Sequence, residues 1–312
     1  MYRGFPLEKI EEVVCHQMSW GWMLLSLLFG ILPQVMRAWR WKQTLAPLGE
    51  HMRTGTAINA IFLSYASSLV IPRIGEITRC GTLAKYDKVS FSKALGTVVT
   101  ERVVDSLTIL TITGVTLLFQ MPAFFKFFET TGTNIQELFN QFTTTGYIVT
   151  LICLFATILL AGILVWRLSI FSRVKGIVLN LWTGISSLRK VKNLPLYVFY
   201  SIGIWACYYL HFYLTFFCFD FTNNLGATDG LVMFCVGSFA VLVPTPNGAG
   251  PWHFAVKTLL ILYGVGSEDA ILFVLVVHTL QTALIVLLGL FSLIDLAWRK
   301  SLEKNKCQIE TS

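Results

Sequence analysis

The chain has 312 residues, of which 55% are hydrophobic and only 13% charged, and its mean hydropathy is +0.67. Those values exclude an ordinary soluble domain. The net charge of +7 does not mark a nucleic-acid binder, because the basic residues are spread through segments flanking apolar runs, where they report membrane topology.

In chain order, Met1–Met18 is polar and lacks the apolar core of a signal peptide. Runs long enough to cross a bilayer follow near Trp20–Met36, Val103–Phe119, Tyr147–Trp166, Leu196–Phe219 and Ala270–Trp298. Two further apolar stretches, Thr54–Ile71 and Leu231–Val243, end in proline and glycine breaks. Cysteines at 15, 80, 153, 207, 218, 235 and 307 have neither CxxC nor metal spacing and read as small apolar fillers. No phosphate-loop, metalloprotease or nucleophile-elbow motif is present, so neither cofactor nor metal is expected.

Lysine and arginine cluster at Arg37–Arg53, Arg73–Arg102, Arg167–Lys192 and Arg299–Lys306, whereas segments 120–145 and 220–229 are acidic apart from Lys126. The positive-inside rule puts the four basic clusters in the cytoplasm. Only Arg3, Lys9, Lys126 and Lys257 then fall elsewhere. Because Arg37–Arg53 and Arg73–Arg102 share a side, Thr54–Ile71 must enter and return, turning near Ser67–Pro72. The same reasoning makes Leu231–Gly266, broken by Pro244, Pro246, Gly248, Gly250 and Pro251, re-entrant from the other side. The expectation is an all-α, polytopic integral membrane protein forming one domain over 1–312. It has about five full transmembrane helices, two oppositely oriented re-entrant hairpins and a cytoplasmic C-terminus.

The two broken segments share a skeleton. Ser64-Tyr65-Ala66 is followed by Pro72 and Gly75, and Ser238-Phe239-Ala240 by Pro246, Gly248 and Gly250. Inverted repeats whose broken helices meet near the midplane are a common build for transporters. A stable core in which the hairpins merely pack is the plain alternative.

Broken backbone and ionisable side chains at membrane depth are costly, so they suggest a substrate pathway. If a helix starts near Ile74, Glu76 falls in its first turn, favoured by the helix dipole. Arg73 and Arg79 are then free to hold a phosphate, which guanidinium matches bidentately. The alternative is a structural pair between Glu76 and one arginine. Glu101 and Asp105, at i and i+4 beside Arg102, repel unless a cation stands between them, and an arginine from 73–79 is the natural partner. Arg37 and Arg40, with Trp39 and Trp41, read as an interfacial anchor or as contacts for anionic headgroups. Asn247, Gly248, Gly250 and His253 could form the outer half of a site. His211, His278 and Gln281, inside apolar helices, are packing residues or a relay.

Four of these elements resemble a known family. They are Arg37-Ala38-Trp39-Arg40-Trp41, Pro72-Arg73-Ile74-Gly75-Glu76-Ile77-Thr78-Arg79, Thr100-Glu101-Arg102-Val103-Val104-Asp105, and Pro244-Thr245-Pro246-Asn247-Gly248-Ala249-Gly250. Together they are similar to the flippase-like membrane domain of lysylphosphatidylglycerol synthases and their stand-alone relatives, over nearly the whole chain. In that family the membrane domain is taken to translocate lipid, and a separate soluble domain transfers the aminoacyl group. This chain ends at Ser312, leaving no room for such a domain, so the resemblance implies lipid movement rather than synthesis. In the family a further transmembrane helix usually precedes a segment like Tyr2-Arg3-Gly4-Phe5, with which the given sequence starts. The sequence departs from the family in having Asn247 in place of a glycine and His253 in place of a glutamate.

The function expected is translocation of a phospholipid or lipid-linked anionic headgroup across the inner membrane, without enzymatic activity. On this reading Arg73, Glu76, Arg79, Asn247, Gly248, Gly250 and His253 bind substrate. Pro72, Gly75, Glu101, Arg102, Asp105 and Pro246 shape or gate the path, and Arg37 and Arg40 touch headgroups. The alternatives are a membrane subunit delivering lipid to a synthase or glycosyltransferase partner, and an intramembrane lipid transferase.

Overall fold

The computed structural model describes residues 7–130, 191–243 and 245–310. The expected span Tyr147–Trp166, the acidic loop beyond Thr130, nearly all of the 167–192 basic cluster and Pro244 lie outside those residues.

The helices are α1 (Leu7–Glu12), α2 (Trp20–Leu45), α3 (Thr54–Val70), α4 (Gly75–Asp87), α5 (Phe91–Thr130), α6 (Leu194–Tyr213), α7 (Ala227–Ala240), α8 (Pro251–Leu262) and α9 (Ser267–Glu310). No strand occurs among the described residues. Among the described residues, four segments are long and apolar enough to cross a membrane: Trp20–Leu48, Phe91–Met121, Leu194–Cys218 and Ser267–Leu302. The protein is therefore an all-α, multi-pass membrane protein. Two helices outrun their apolar stretches. α2 continues through Arg37 and Arg40 to Leu45, and α5 begins at Phe91, well before Val103. The sequence reading stopped both at charges that the structure neutralises inside the bundle.

α2 and α6 run antiparallel as the central pair. Ser26 meets His211, Met36 meets Gly203, and Arg40 donates to Ser201 at 3.2 Å. One end of the bundle holds the start of α2, where the Ser19 amide donates to the Cys218 carbonyl at 2.9 Å. The other end is basic: Lys93 pairs with Glu50 at 2.8 Å and Arg299 with Asp295 at 2.6 Å.

α3 and α4 form a helical hairpin whose mouth closes at the basic end. Arg53 Nε lies 2.8 Å from Asp87 Oδ1, and the Asn59 amide donates to Asp295 at 2.6 Å. Its two arms touch tightly at Gly75. A Cβ there would collide with the Ser64 carbonyl, and the Gly75 amide donates to Ser68 Oγ at 3.2 Å. α9 packs on α3 just as closely, since a Cβ on Gly289 would strike the Cβ of Ala66. Between helices in lipid, close approach through small residues supplies the dispersion energy that water would otherwise drive.

α7 and α8 form a second hairpin with its mouth at the opposite end. The Tyr209 hydroxyl donates to the Ala227 carbonyl at 2.7 Å, and Leu225, Val265 and Ala270 join the buried cluster around Met18, Met23, Phe216 and Phe273. A second buried cluster, around Trp41, Leu45, Ile61 and Leu83, sits beneath the first hairpin. Outward, α9 presents Leu287, Leu290, Phe291, Ile294 and Trp298 as an exposed apolar stripe at helical spacing.

Candidate functional site

The hairpins enter from opposite ends and their tips meet. Arg73 Nη2 donates to the Leu242 carbonyl at 2.8 Å across the gap. Both turns hold a non-glycine residue in the left-handed region, Arg73 at φ +66° and Asn247 at φ +51°, with Gly248 at +72° and Gly250 at +92° beside the latter. For arginine that conformation costs roughly 1–2 kcal/mol and persists only where the surroundings impose it.

Between the tips lies a cavity of about 260 Å³, walled by Ser64, Tyr65, Arg73, Glu76, Arg102 and Asn247, among others. Arg37, Arg79, Pro72 and Gly248 also reach it. A larger space of about 430 Å³ adjoins it, sharing Arg37, Tyr65, Arg102 and Val241, but its other walls are mostly apolar, including Trp205, Phe212, Phe234 and Trp252. A third, of about 200 Å³, shares Tyr65, Val241 and Asn247 and reaches His211, His278 and Gln281. Tyr65 stands at the junction of all three, its hydroxyl 2.8 Å from that of Tyr208. A polar chamber thus opens onto a greasy one.

A buried ion network forms the charged wall. Asp105 receives Arg37 Nη1 at 2.6 Å and Arg40 Nη2 at 2.8 Å, and Arg102 Nη2 lies 3.2 Å away. Arg79 sits 2.8 Å from Glu101 and 2.9 Å from Glu76, which also faces Arg102 at 3.4 Å. Arg40 Nε lies 3.8 Å from Glu101. The Arg79 guanidinium also stacks over Trp41, 4.7 Å from the ring centroid. Four guanidiniums face three carboxylates here, so the wall keeps one positive charge, and Arg73 at the tip adds a second. Excess charge of one sign in a low-dielectric chamber concentrates the opposite ion.

These contacts sort the expected residues. Helix α4 starts at Gly75 and places Glu76 in its first turn. Arg73, Glu76, Asn247 and Gly248 line one cavity, as do Pro72 and Arg102. Arg79, expected to hold phosphate, is 1% exposed and committed to Glu76, Glu101 and Trp41, so it braces the wall. Arg37 and Arg40, read as interfacial anchors or headgroup contacts, are instead 2% and 0% exposed. Burial is tolerated because Asp105 and Glu101 neutralise them. His253 sits outside the chamber, its ring 4.4 Å from that of His278, and Gly250 is exposed beyond the turn. Pro246 opens the short turn that carries Asn247. The Asn247 amide donates to Thr282 Oγ1 at 2.7 Å, and its carbonyl lies 3.1 Å from His278 Nε2.

Sequence reasoning missed Tyr65, Tyr208 and Thr282, and missed that Asp105 answers to α2. Tyr65 enters only as part of the repeated skeleton, a tyrosine or threonine in an apolar run carries no signal of its own, and nothing in residue spacing links Arg37 to a carboxylate on another helix.

Opposed helical hairpins around a cationic chamber, inside a bundle with an apolar exterior, belong to a polytopic membrane protein. Residues 3–289 match the family model described as the lysylphosphatidylglycerol synthase TM region, and the chain belongs to that family. Membership relates it to phospholipid modification or flipping at a membrane. No curated protein and no solved structure gives a match.

Proposed function

We propose that this protein translocates a phospholipid or lipid-linked anionic headgroup through the chamber between the hairpin tips. The observation that carries the reading is the join between a chamber bearing surplus positive charge and a larger apolar one, a shape that suits an anionic headgroup with its chains attached. Arg73 is the primary anion contact. It is the cationic tip residue, and it spends its hydrogen bond on a carbonyl that an incoming phosphate can replace. Arg102, half-exposed and shared by both chambers, is the second contact.

In this reading the hairpins are re-entrant, dipping into the bilayer from opposite faces. The basic end of the bundle lies in the cytoplasm of an inner-membrane protein, and α9 delivers its C-terminus there. The charge distribution supports this orientation. Glu50, Lys93, Asp87, Arg53, Asp295 and Arg299 gather at one end with Lys42, Lys85 and Lys88, whereas Asp229, Glu268 and Asp269 begin helices at the other. Movement is favoured over catalysis because Glu76, Glu101 and Asp105 are each held by arginines, which removes them as general bases.

The test is headgroup-labelled phosphatidylglycerol translocation in vesicles reconstituted with purified protein. Arg73→Ala removes one charge-assisted contact and should slow translocation about tenfold or more, with an unchanged elution profile and melting temperature. Wild-type rates in that variant would remove the tip from the mechanism.

A further inference from the structure

The outer face of α2 carries a further cavity that the transport path does not use. Arg37, Arg40, Trp41 and Thr44 turn inward, whereas Trp39, Lys42, Gln43 and Ala46, at helical spacing, turn toward a cavity of about 460 Å³ at the basic end. Its other wall is Lys192 and the start of α6, including Leu196 and Tyr200. It shares no lining residue with the three chambers around Tyr65.

The lining combines two chemistries. Trp39 and Tyr200 pair with ring centroids 5.9 Å apart and, with Leu196, Ala46 and Pro47, make an apolar slot. Lys42 and Lys192 stand at the rim, both exposed, and among the described residues no carboxylate lines the cavity. Lys42 Nζ is 3.0 Å from Thr54 Oγ1, at the first turn of α3, and Asn193 caps α6 by accepting the Leu196 amide at 3.1 Å. Two helix N-termini therefore face the same space as the two ammonium groups, which adds to its attraction for an anion. Tryptophan and tyrosine with lysines just beyond is the arrangement that sits at headgroup depth. A soluble anion would have no use for the aromatic slot.

We infer that this cavity binds one anionic phospholipid, its phosphate at Lys42 and Lys192 and an acyl chain against Trp39 and Tyr200. It is a resident lipid site at the basic end of the bundle, separate from the transported substrate. The occupant is a lipid because the polar and apolar walls are continuous, and an anionic one because, among the described residues, the charged side chains lining the slot are lysines.

Native mass spectrometry of the purified full chain, titrated with phosphatidylglycerol or phosphatidylcholine, tests this. Wild type should retain one phosphatidylglycerol more tightly than phosphatidylcholine. Lys42→Ala with Lys192→Ala should weaken that binding roughly 25-fold, the attraction of a lysine to an anionic surface taken twice. Lys42→Arg with Lys192→Arg should restore it, and Arg73→Ala should leave it intact. The last result also keeps failure of this site distinct from failure of the transport reading. Equal phosphatidylglycerol binding in wild type and the double alanine variant would overturn the inference. So would displacement of the lipid by millimolar glycerol 3-phosphate, which would make the site one for a free phosphate.

Discussion

Asp105→Asn is the sharpest probe of the charged wall. Asp105 is the shared acceptor of Arg37 at 2.6 Å, Arg40 at 2.8 Å and Arg102 at 3.2 Å, and its side chain is 8% exposed. The amide keeps the shape and removes the charge, taking from buried Arg37 the carboxylate it pairs with and leaving Arg40 against Glu101 at 3.8 Å, which already serves Arg79. Removing one partner of a buried ion pair costs about 3–5 kcal/mol, because the other charge stays out of water without compensation. That is a large fraction of the roughly 5–15 kcal/mol that holds a typical domain together. The assay is thermal unfolding in mild detergent followed by loss of the monodisperse elution peak, beside Arg73→Ala, which should melt as wild type does. A double variant, Arg37→Gln with Asp105→Asn, should be less destabilised than the two single effects summed, because the cycle isolates the pair. If Asp105→Asn melts at the wild-type temperature, the network is not structural and the division between bracing arginines and substrate arginines fails.

Gly75→Ala should destabilise the first hairpin by about 1–3 kcal/mol, seen as a lower melting temperature and faster protease cutting near 71–75. The added Cβ would strike the Ser64 carbonyl, and Ser68 Oγ lies 2.5 Å from the same point. Glu50, in the loop before α3, gives a pH signature. Burial raises its carboxyl, but the hydrogen bonds from Lys93 and the Ser90 amide, with the Lys93 charge, pull it below its ordinary value of 4.5. A carboxyl depressed in the folded state contributes stability above the unfolded value and loses it as pH falls through the folded one. The melting temperature should therefore drop below pH 4.5, and Glu50→Gln should remove that part of the drop.

Much of this was legible because lipid leaves few solutions. Lysine and arginine placement along the chain predicts two oppositely directed hairpins, and the contacts put the two hairpin mouths at opposite ends of the bundle, Arg53–Asp87 at one and Tyr209–Ala227 at the other. The Glu101–Arg79 pairing was foreseeable from like charges at i and i+4, which demand a cation from a nearby segment. The inward turn of Arg37 and Arg40 was not. Next to Trp39 and Trp41 they read locally as an interfacial belt. Only the α2–α5 crossing, a long-range contact, reveals Asp105 opposite them. The same four positions carry both roles, with Trp39 outward and Arg40 inward, and helical phase alone could not say which face met carboxylates. His253 misled for a related reason, since its alignment with a glutamate position suggested a place at the site. The turn at Gly250 instead directs it behind Trp252 toward His278.

The two hairpins share a skeleton but not a fastening, and that difference constrains how a chamber between them can open. The first is fixed to α5 by the ion pairs Arg79–Glu101 and Glu76–Arg102, and to α9 by the hydrogen bond from the Asn59 amide to the Asp295 carboxylate. Separating such pairs in low dielectric exposes uncompensated charge, so this hairpin moves with the bundle or not at all. The second hairpin's turn is held by neutral contacts, Asn247 to Thr282 and His278 to the Asn247 carbonyl, each worth about 1 kcal/mol net. Its backbone passes through left-handed positions at Asn247, Gly248 and Gly250, where rotation is cheap for glycine. The link from the first tip to the second is the Arg73 hydrogen bond to the Leu242 carbonyl. On the proposed transport reading, an anion arriving at Arg73 would compete for that donor and loosen the contact to the weaker-held half.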